Sequence, residues 1–130
     1  MTYELTKIEV ECWRDEDFKR FLKEDYPSYG YEDLKEWVSD EVSESDYDKT
    51  LEQVCSDICI NGGGYDGWTD FRLYYTDIEN NRYCTFTYTN DGELMEIDDC
   101  GKIKENNLTN RCDLKVPIRD ILTINKPQDF

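Results

Sequence analysis

The sequence predicts an α+β domain in which an N-terminal strand and about three helices precede an antiparallel β-meander of about three to five strands. Apolar residues recur at helical spacing in the first half of the chain, and after Gly67 the pattern changes to the alternation of half-buried strands. Aromatic residues make up 14% of the 130 residues, which favours a folded chain over a disordered one despite the high charge. We expect residues 1–130 to form a single domain, because domains of roughly 100–150 residues are the commonest.

An N-terminal strand is predicted over residues 2–13. Ile8, Val10 and Cys12 alternate there with charged side chains, which is typical of a strand with one buried face. A short helix is expected next. It ends before Pro27, because the residue that precedes a proline disfavours helical geometry.

Two further helices are predicted before Gly67. The first covers residues 31–42, where the apolar side chains share one helical face. The second is capped by Ser45 or Asp46 and ends at the glycine-rich residues 61–64. Its apolar stripe consists of Leu51, Val54, Cys55, Ile58 and Cys59.

The second half of the chain is predicted to be β-structure. Residues 71–77 and 82–89 are rich in Tyr, Thr, Phe and Cys and are joined by a short polar turn, so they predict a hairpin. A tight turn at residues 90–92 leads into a strand over residues 93–97. One or two final strands are expected within residues 114–124.

Negative charge is the strongest functional indication in the sequence. Acidic side chains outnumber basic ones by 31 to 15 and histidine is absent, so the formal net charge is −16. Solubility alone requires a charge of only ~2–8 in magnitude. Nucleic acid and anionic membranes would both be repelled by such a chain. We therefore expect a protein partner with a basic nucleic-acid-binding surface, and no direct contact with nucleic acid or membrane.

Most of the predicted partner-binding residues lie on the two helices expected between residues 31 and 61. On the first of these helices, acids three or four residues apart share the sector opposite the apolar face, about 5–6 Å from one another. A solvated helix face is the alternative interpretation. Carboxylates on several elements together can instead imitate the phosphates of a nucleic-acid strand. The acidic candidates are Asp33, Glu36, Asp40, Glu44, Asp46, Asp48 and Glu52.

Aromatic side chains beside predicted turns form a second set of partner-binding candidates. They are Tyr29, Tyr65 and Trp68. Tyrosine and tryptophan are enriched among the residues that anchor protein interfaces. Core packing or turn stabilisation is the alternative role of these rings.

No metal, cofactor or catalytic residue is expected. The six cysteines include no Cys-x-x-Cys pair, and without histidine a cysteine nucleophile lacks its usual base. No stretch approaches the ~20 apolar residues of a membrane span, and the N-terminus lacks the pattern of a signal peptide. We expect a non-enzymatic cytoplasmic protein with reduced cysteines.

In size, acidity and lack of a catalytic set, the chain resembles the small inhibitors that phages and mobile elements encode against host nucleases, including CRISPR effectors and restriction enzymes. The resemblance is to a functional class, and it transfers no residue roles. It implies an anti-defence inhibitor, anti-CRISPR-like, that acts as a DNA mimic in the cytoplasm of a bacterial host. An immunity protein against a nuclease toxin fits the same composition. A non-enzymatic adaptor that binds through aromatic loops is a further alternative.

Overall fold

The part of the chain that the structure describes is mostly β-structure. The computed structural model describes residues 3–14, 35–62, 64–98 and 110–124. Five strands form an antiparallel sheet in the order β2-β1-β3-β4-β5, and a short sixth strand pairs with the start of β1. One α-helix packs against the sheet. The elements are β1 (Tyr3–Arg14), β2 (Lys35–Glu41), α1 (Leu51–Asn61), β3 (Gly64–Asp77), β4 (Arg82–Thr89), β5 (Leu94–Asp98) and β6 (Thr123–Ile124).

Alternation along the strands gives the sheet two different faces. On the face that α1 covers, the helix-side face, Ile8 pairs with Leu73 and Val10 with Phe71. All four side chains are fully buried. The opposite face, called the polar face below, carries charged side chains together with Thr, Tyr and Trp. The main core therefore lies between the sheet and α1, whose buried residues are Leu51, Val54, Cys55, Ile58 and Cys59.

The predicted α+β class with about three helices is wrong. The helix predicted over residues 31–42 is instead the strand β2, which pairs with β1 through seven consecutive positions. Glu36, Asp40 and Glu44 would repel one another on a single helix face, whereas residues four apart in a strand are separated by about 13 Å. The short helix predicted before Pro27 lies outside the described residues. Among the described residues, α1 is the one α-helix.

Other predicted elements are confirmed. β1 matches the predicted N-terminal strand, the stripe of α1 is buried as expected, and β3 and β4 form the predicted hairpin. The cap of α1 is Thr50 rather than Ser45 or Asp46. Its hydroxyl accepts a hydrogen bond from the Gln53 N–H at 3.2 Å, and the Gln53 side chain accepts one from the Thr50 N–H at 3.0 Å.

The last described segment contributes less strand than predicted. Of residues 114–124, only Thr123 and Ile124 form a strand. Residues Ile118–Ile121 form a 3₁₀ turn instead, and both of its isoleucines are buried. Burying two apolar side chains three positions apart requires a helical turn, because in a strand they would point to opposite faces.

Gly92 allows the segment around Cys112 to pack closely against the β4–β5 turn. Its φ of +85° lies in the left-handed region that favours glycine. The Cys112 N–H donates a hydrogen bond to the Gly92 carbonyl at 2.8 Å. A Cβ placed at Gly92 would overlap the Cys112 carbonyl oxygen, so the two backbones approach as closely as they do only because residue 92 has no side chain.

Candidate functional site

The structure divides the predicted acidic row among separate elements. Glu36 and Asp40 lie on β2 opposite Cys12 and Ile8, so their side chains are on the helix-side face. They are separated by about 13 Å, more than twice the spacing expected for neighbours on a helix. Asp33 lies outside the described residues. These carboxylates therefore do not form the single row that is predicted for one helix.

Carboxylates instead gather where β2, the 3₁₀ turn at Glu44–Asp46 and α1 meet. Asp40, Asp46 and Asp57 line a cavity of about 70 Å³ together with Lys49. The Lys49 ammonium lies 3.1 Å from Asp57 and 3.8 Å from Asp46. The hydrogen bond and charge of Asp57, followed by the charge of Asp46, raise the pKa of Lys49. We name the three carboxylates around this cavity, those of Asp40, Asp46 and Asp57, the acidic corner. Glu36 and Glu44 are exposed on the same strand and 3₁₀ turn, but they do not line the cavity.

Hydrogen bonds to the backbone order the acidic corner. The Asp46 carboxylate accepts from the Ser43 N–H at 3.1 Å and from the Ser43 hydroxyl at 3.0 Å. Asp40 accepts from the Glu41 N–H at 2.9 Å. Among the described residues, Lys49 is the cation that contacts the corner. One lysine cannot neutralise three carboxylates, so the corner keeps a net negative charge.

Two predicted acids lie apart from the acidic corner. Asp48 accepts two hydrogen bonds from the Arg119 guanidinium, at 2.8 and 3.2 Å, so much of its charge is compensated. Glu52 lines a groove of about 810 Å³ that also contains Arg111 and Lys115. This groove and the cavity of the acidic corner share no lining residue. Neither Asp48 nor Glu52 adds to the carboxylates around Lys49.

The aromatic candidates are not brought together by the described residues. Trp68 is half-buried, donates a hydrogen bond from Nε1 to the Ser56 hydroxyl at 3.3 Å, and meets Phe71 edge-on at a centroid distance of 5.8 Å. These contacts pack it against the core. Tyr65 lies in β3, but its side chain is outside the described part of the structure, as is all of Tyr29. A role for these three residues in partner binding stays a prediction.

The polar face carries a network of charges and rings that the sequence analysis missed. The Arg72 guanidinium donates to Glu9 at 2.6 Å and to the Thr87 hydroxyl at 3.0 Å, and it lies 4.4 Å from the centroid of the Trp37 ring. This geometry combines a charge-assisted hydrogen bond with a cation–π contact. The helix predicted over residues 31–42 would place Trp37 on its apolar face, whereas in β2 its ring lies on the polar face beside Arg72.

A second group on the polar face follows the same pattern. Lys35 lies 3.6 Å from the Glu11 carboxylate and 5.1 Å from the centroid of the Trp13 ring. The Thr69 hydroxyl also donates to Glu11 at 2.6 Å. The alternation of Glu9, Glu11 and Trp13 along β1 was the one sequence pattern that could have indicated this face. Glu9 and Glu11 are both paired with cations, so these two carboxylates add little to the excess negative charge.

The described cysteines are buried thiols, and none lies on the acidic corner. Burial raises the pKa of Cys112 to about 12, and it raises the pKa of Cys12 and Cys55 far above that of a free thiol. Thiolates, which bind metals and attack electrophiles, are therefore scarce at neutral pH. Within the described ranges, no three His, Cys, Asp or Glu side chains are grouped in a way that could hold a metal ion.

We expect the described cysteines to resist thiol reagents in the folded protein, because the thiolate is the reactive form and burial excludes the reagent. The variant Cys100→Ser removes the cysteine that lies outside the described residues. In this variant, dithionitrobenzoate at pH 8 should release almost no chromophore until guanidinium is added, and then the equivalent of the five described cysteines. Rapid stoichiometric labelling of the native variant would contradict the burial.

Comparison of the chain with protein-family models, curated proteins and solved structures found no match. Within the described part of the chain, no helix combines the length and the apolar character of a membrane span. The function must therefore be inferred from the arrangement of the chain's own side chains.

Proposed function

We propose that the protein is a non-enzymatic inhibitor that binds the basic nucleic-acid-binding surface of another protein, such as a nuclease or a CRISPR or restriction effector. The observation that carries this proposal is the acidic corner, where carboxylates from β2, the 3₁₀ turn and α1 line one cavity with a single lysine, and further exposed acids, Glu36 and Glu44, lie on the same strand and turn. Imitation of a nucleic-acid backbone needs acids from several elements together. The net charge of −16 adds a long-range field of the same sign.

The negative charge of the protein attracts a basic partner before the two proteins touch. A negative surface approaching a positive channel can be steered to association rate constants of ~10⁸–10⁹ M⁻¹s⁻¹ at low salt. Salt screens the attraction, because the Debye length falls to about 8 Å at physiological ionic strength. The complex should therefore form quickly and weaken steeply as salt is raised, and it should compete with DNA or RNA for the same channel.

The exposed carboxylates at and beside the acidic corner should dominate the inhibition. In the variant Glu36→Lys/Asp40→Lys/Glu44→Lys, we expect inhibition of DNA binding to weaken by about 100-fold or more, because each reversal turns an attraction to the basic channel into a repulsion. The measurement is a competition assay with labelled duplex DNA, run on a panel of purified CRISPR effectors and restriction nucleases at 50 and 200 mM salt.

A matched variant separates the acidic corner from net charge. Glu79→Lys/Asp91→Lys/Glu96→Lys changes the net charge by the same amount at exposed positions on the β3–β4 turn, the β4–β5 turn and β5. We expect this control to inhibit within about threefold of the native protein at 200 mM salt, where distant charges are screened. Equal losses in the two triple variants would contradict an interface at the acidic corner.

A further inference from the structure

The outer edge of β2 has backbone groups that are available for pairing. The Val42 N–H donates to the Thr6 carbonyl at 3.0 Å. In an antiparallel pair, the backbone groups of successive residues point alternately toward and away from the partner strand. The alternation therefore turns the amides of Trp37, Ser39 and Glu41 away from β1. The Glu41 N–H already donates to the Asp40 carboxylate at 2.9 Å, so the outward amides that can bind a further strand are those of Trp37 and Ser39. Among the described residues, none pairs with this side of β2, which ends the strand order of the sheet.

As an edge strand, β2 is protected by charge and not by proline, a bulge or shortness. Proteins commonly block sheet edges with proline, charged side chains, bulges or very short strands. β2 is seven residues long, contains no proline, and pairs with β1 in unbroken register. β5, at the other end of the strand order, is shorter, and its register with β4 is irregular between Thr87 and Tyr88. β2 is therefore the better template for a further strand.

Negative charge determines which chain this edge can accept. Glu36 and Asp40 flank Val38 on the helix-side face, and both are exposed. A second copy pairing antiparallel about Val38 would place Glu36 opposite Asp40 twice, and like charges directly opposite each other destabilise a sheet. Lysine or arginine at the same positions would form opposite-charge pairs. The edge thus discriminates against copies of this chain and in favour of a basic strand.

We propose that β2 binds an extended segment of the partner protein as an additional antiparallel strand, with basic side chains four residues apart opposite Glu36 and Asp40. The inference rests on the proposed function, because it states how a basic partner is held. Trp37 and Ser39 supply the backbone hydrogen bonds. Glu36 and Asp40 occupy the intervening positions, where paired side chains approach most closely. Affinity then comes from the backbone and specificity from the alternating charges.

A fluorescent heptapeptide tests this geometry directly. Its sequence is Thr-Lys-Thr-Val-Thr-Lys-Thr, which places two lysines four positions apart on one face of a strand and threonines at the hydrogen-bonding positions. A second peptide has the same side chains and charge, but its threonine amides are N-methylated. We expect the unmodified peptide to bind at least about tenfold more tightly in an anisotropy titration, because two or more backbone hydrogen bonds separate the two peptides.

Variants of the protein test the same contacts from the other side. Ser39→Pro removes an outward amide without removing a bond to β1, and proline is tolerated on the free side of an edge strand. Ser39→Thr is the matched control that keeps the amide. Ser39→Pro should bind the unmodified peptide at least about tenfold more weakly, and Ser39→Thr should bind it normally. In the native protein, the peptide should slow hydrogen exchange at Trp37 and Ser39.

The outcomes separate this inference from the proposed function. Equal binding of the two peptides, or no added protection of the outward amides, overturns strand addition. If the charge reversals at Glu36, Asp40 and Glu44 still abolish inhibition of a nuclease in that case, the proposed function stands without it. Conversely, tight and amide-dependent binding of the unmodified peptide supports strand addition even if no nuclease in the panel is inhibited.

Discussion

Replacing Phe86 with alanine is expected to lower the free energy of unfolding by about 3–5 kcal/mol. Phe86 is fully buried in β4 on the helix-side face. Its ring meets Tyr75 edge-on at a centroid distance of 5.7 Å and lies 6.5 Å from the Tyr88 ring. Truncation removes these contacts and leaves a cavity. The neighbouring rings are held on β3 and β4, which limits how far they can move into it. Urea unfolding followed by far-ultraviolet circular dichroism measures the loss.

Two further substitutions control for this result. Phe86→Leu keeps most of the buried volume and should cost clearly less than Phe86→Ala. Tyr83→Ala truncates an aromatic ring in the same strand that is 55% exposed, so its effect should stay below about 1 kcal/mol. A loss below about 1 kcal/mol for Phe86→Ala would contradict the position of this ring in the core.

Replacing Gly92 with alanine should lower the free energy of unfolding by about 3 kcal/mol, although it adds a single methyl group. Two effects combine. The φ of +85° is strained for any residue with a Cβ. The methyl group would also overlap the Cys112 carbonyl oxygen, and a backbone atom cannot rotate out of the way as a side chain can. The hydrogen bond from Cys112 to Gly92 would be broken or lengthened as the two segments separate.

The neighbouring variant Asp91→Ala provides the matched control for Gly92→Ala. It adds no atoms and leaves the backbone amide of residue 91, which donates to the Thr89 hydroxyl at 3.3 Å, in place. Its effect should stay within about 0.5 kcal/mol in the same urea titration. Equal stabilities of the two variants would show that the close contact at Gly92 is not required.

The elements that local patterns determine were predictable from the sequence. The stripe of α1 and the β3–β4 hairpin are each defined by residues close together in the chain. β2 was not predictable in this way, because Trp37 and Val38 are adjacent apolar residues that face opposite sides of a strand. Val38 packs toward the core and Trp37 contacts Arg72 on the polar face. A strand that is partly covered on both faces does not alternate between apolar and polar residues. Only the pairing with β1 therefore identifies β2 as a strand.

The candidate site was predictable in its charge but not in its arrangement. Composition alone indicates a negative surface, and Asp40 and Asp46 do belong to the acidic corner. Asp57 was not among the candidates, because its approach to Lys49 depends on where α1 packs. Asp48 is separated by 71 positions from Arg119, the cation that compensates it. No local pattern can indicate a pair that the fold alone brings together.

The placement of β1 inside the sheet has a consequence for synthesis on the ribosome. β1 pairs with β3 along one edge, yet Gly64, where β3 begins, lies fifty residues after the end of β1 at Arg14. At a translation rate of ~5–20 residues per second, β1 must wait roughly 3–10 s for that partner. During this interval its alternating apolar side chains are uncovered. The many carboxylates translated next to it then keep neighbouring nascent chains apart by charge repulsion, before the folded protein exists to meet any partner.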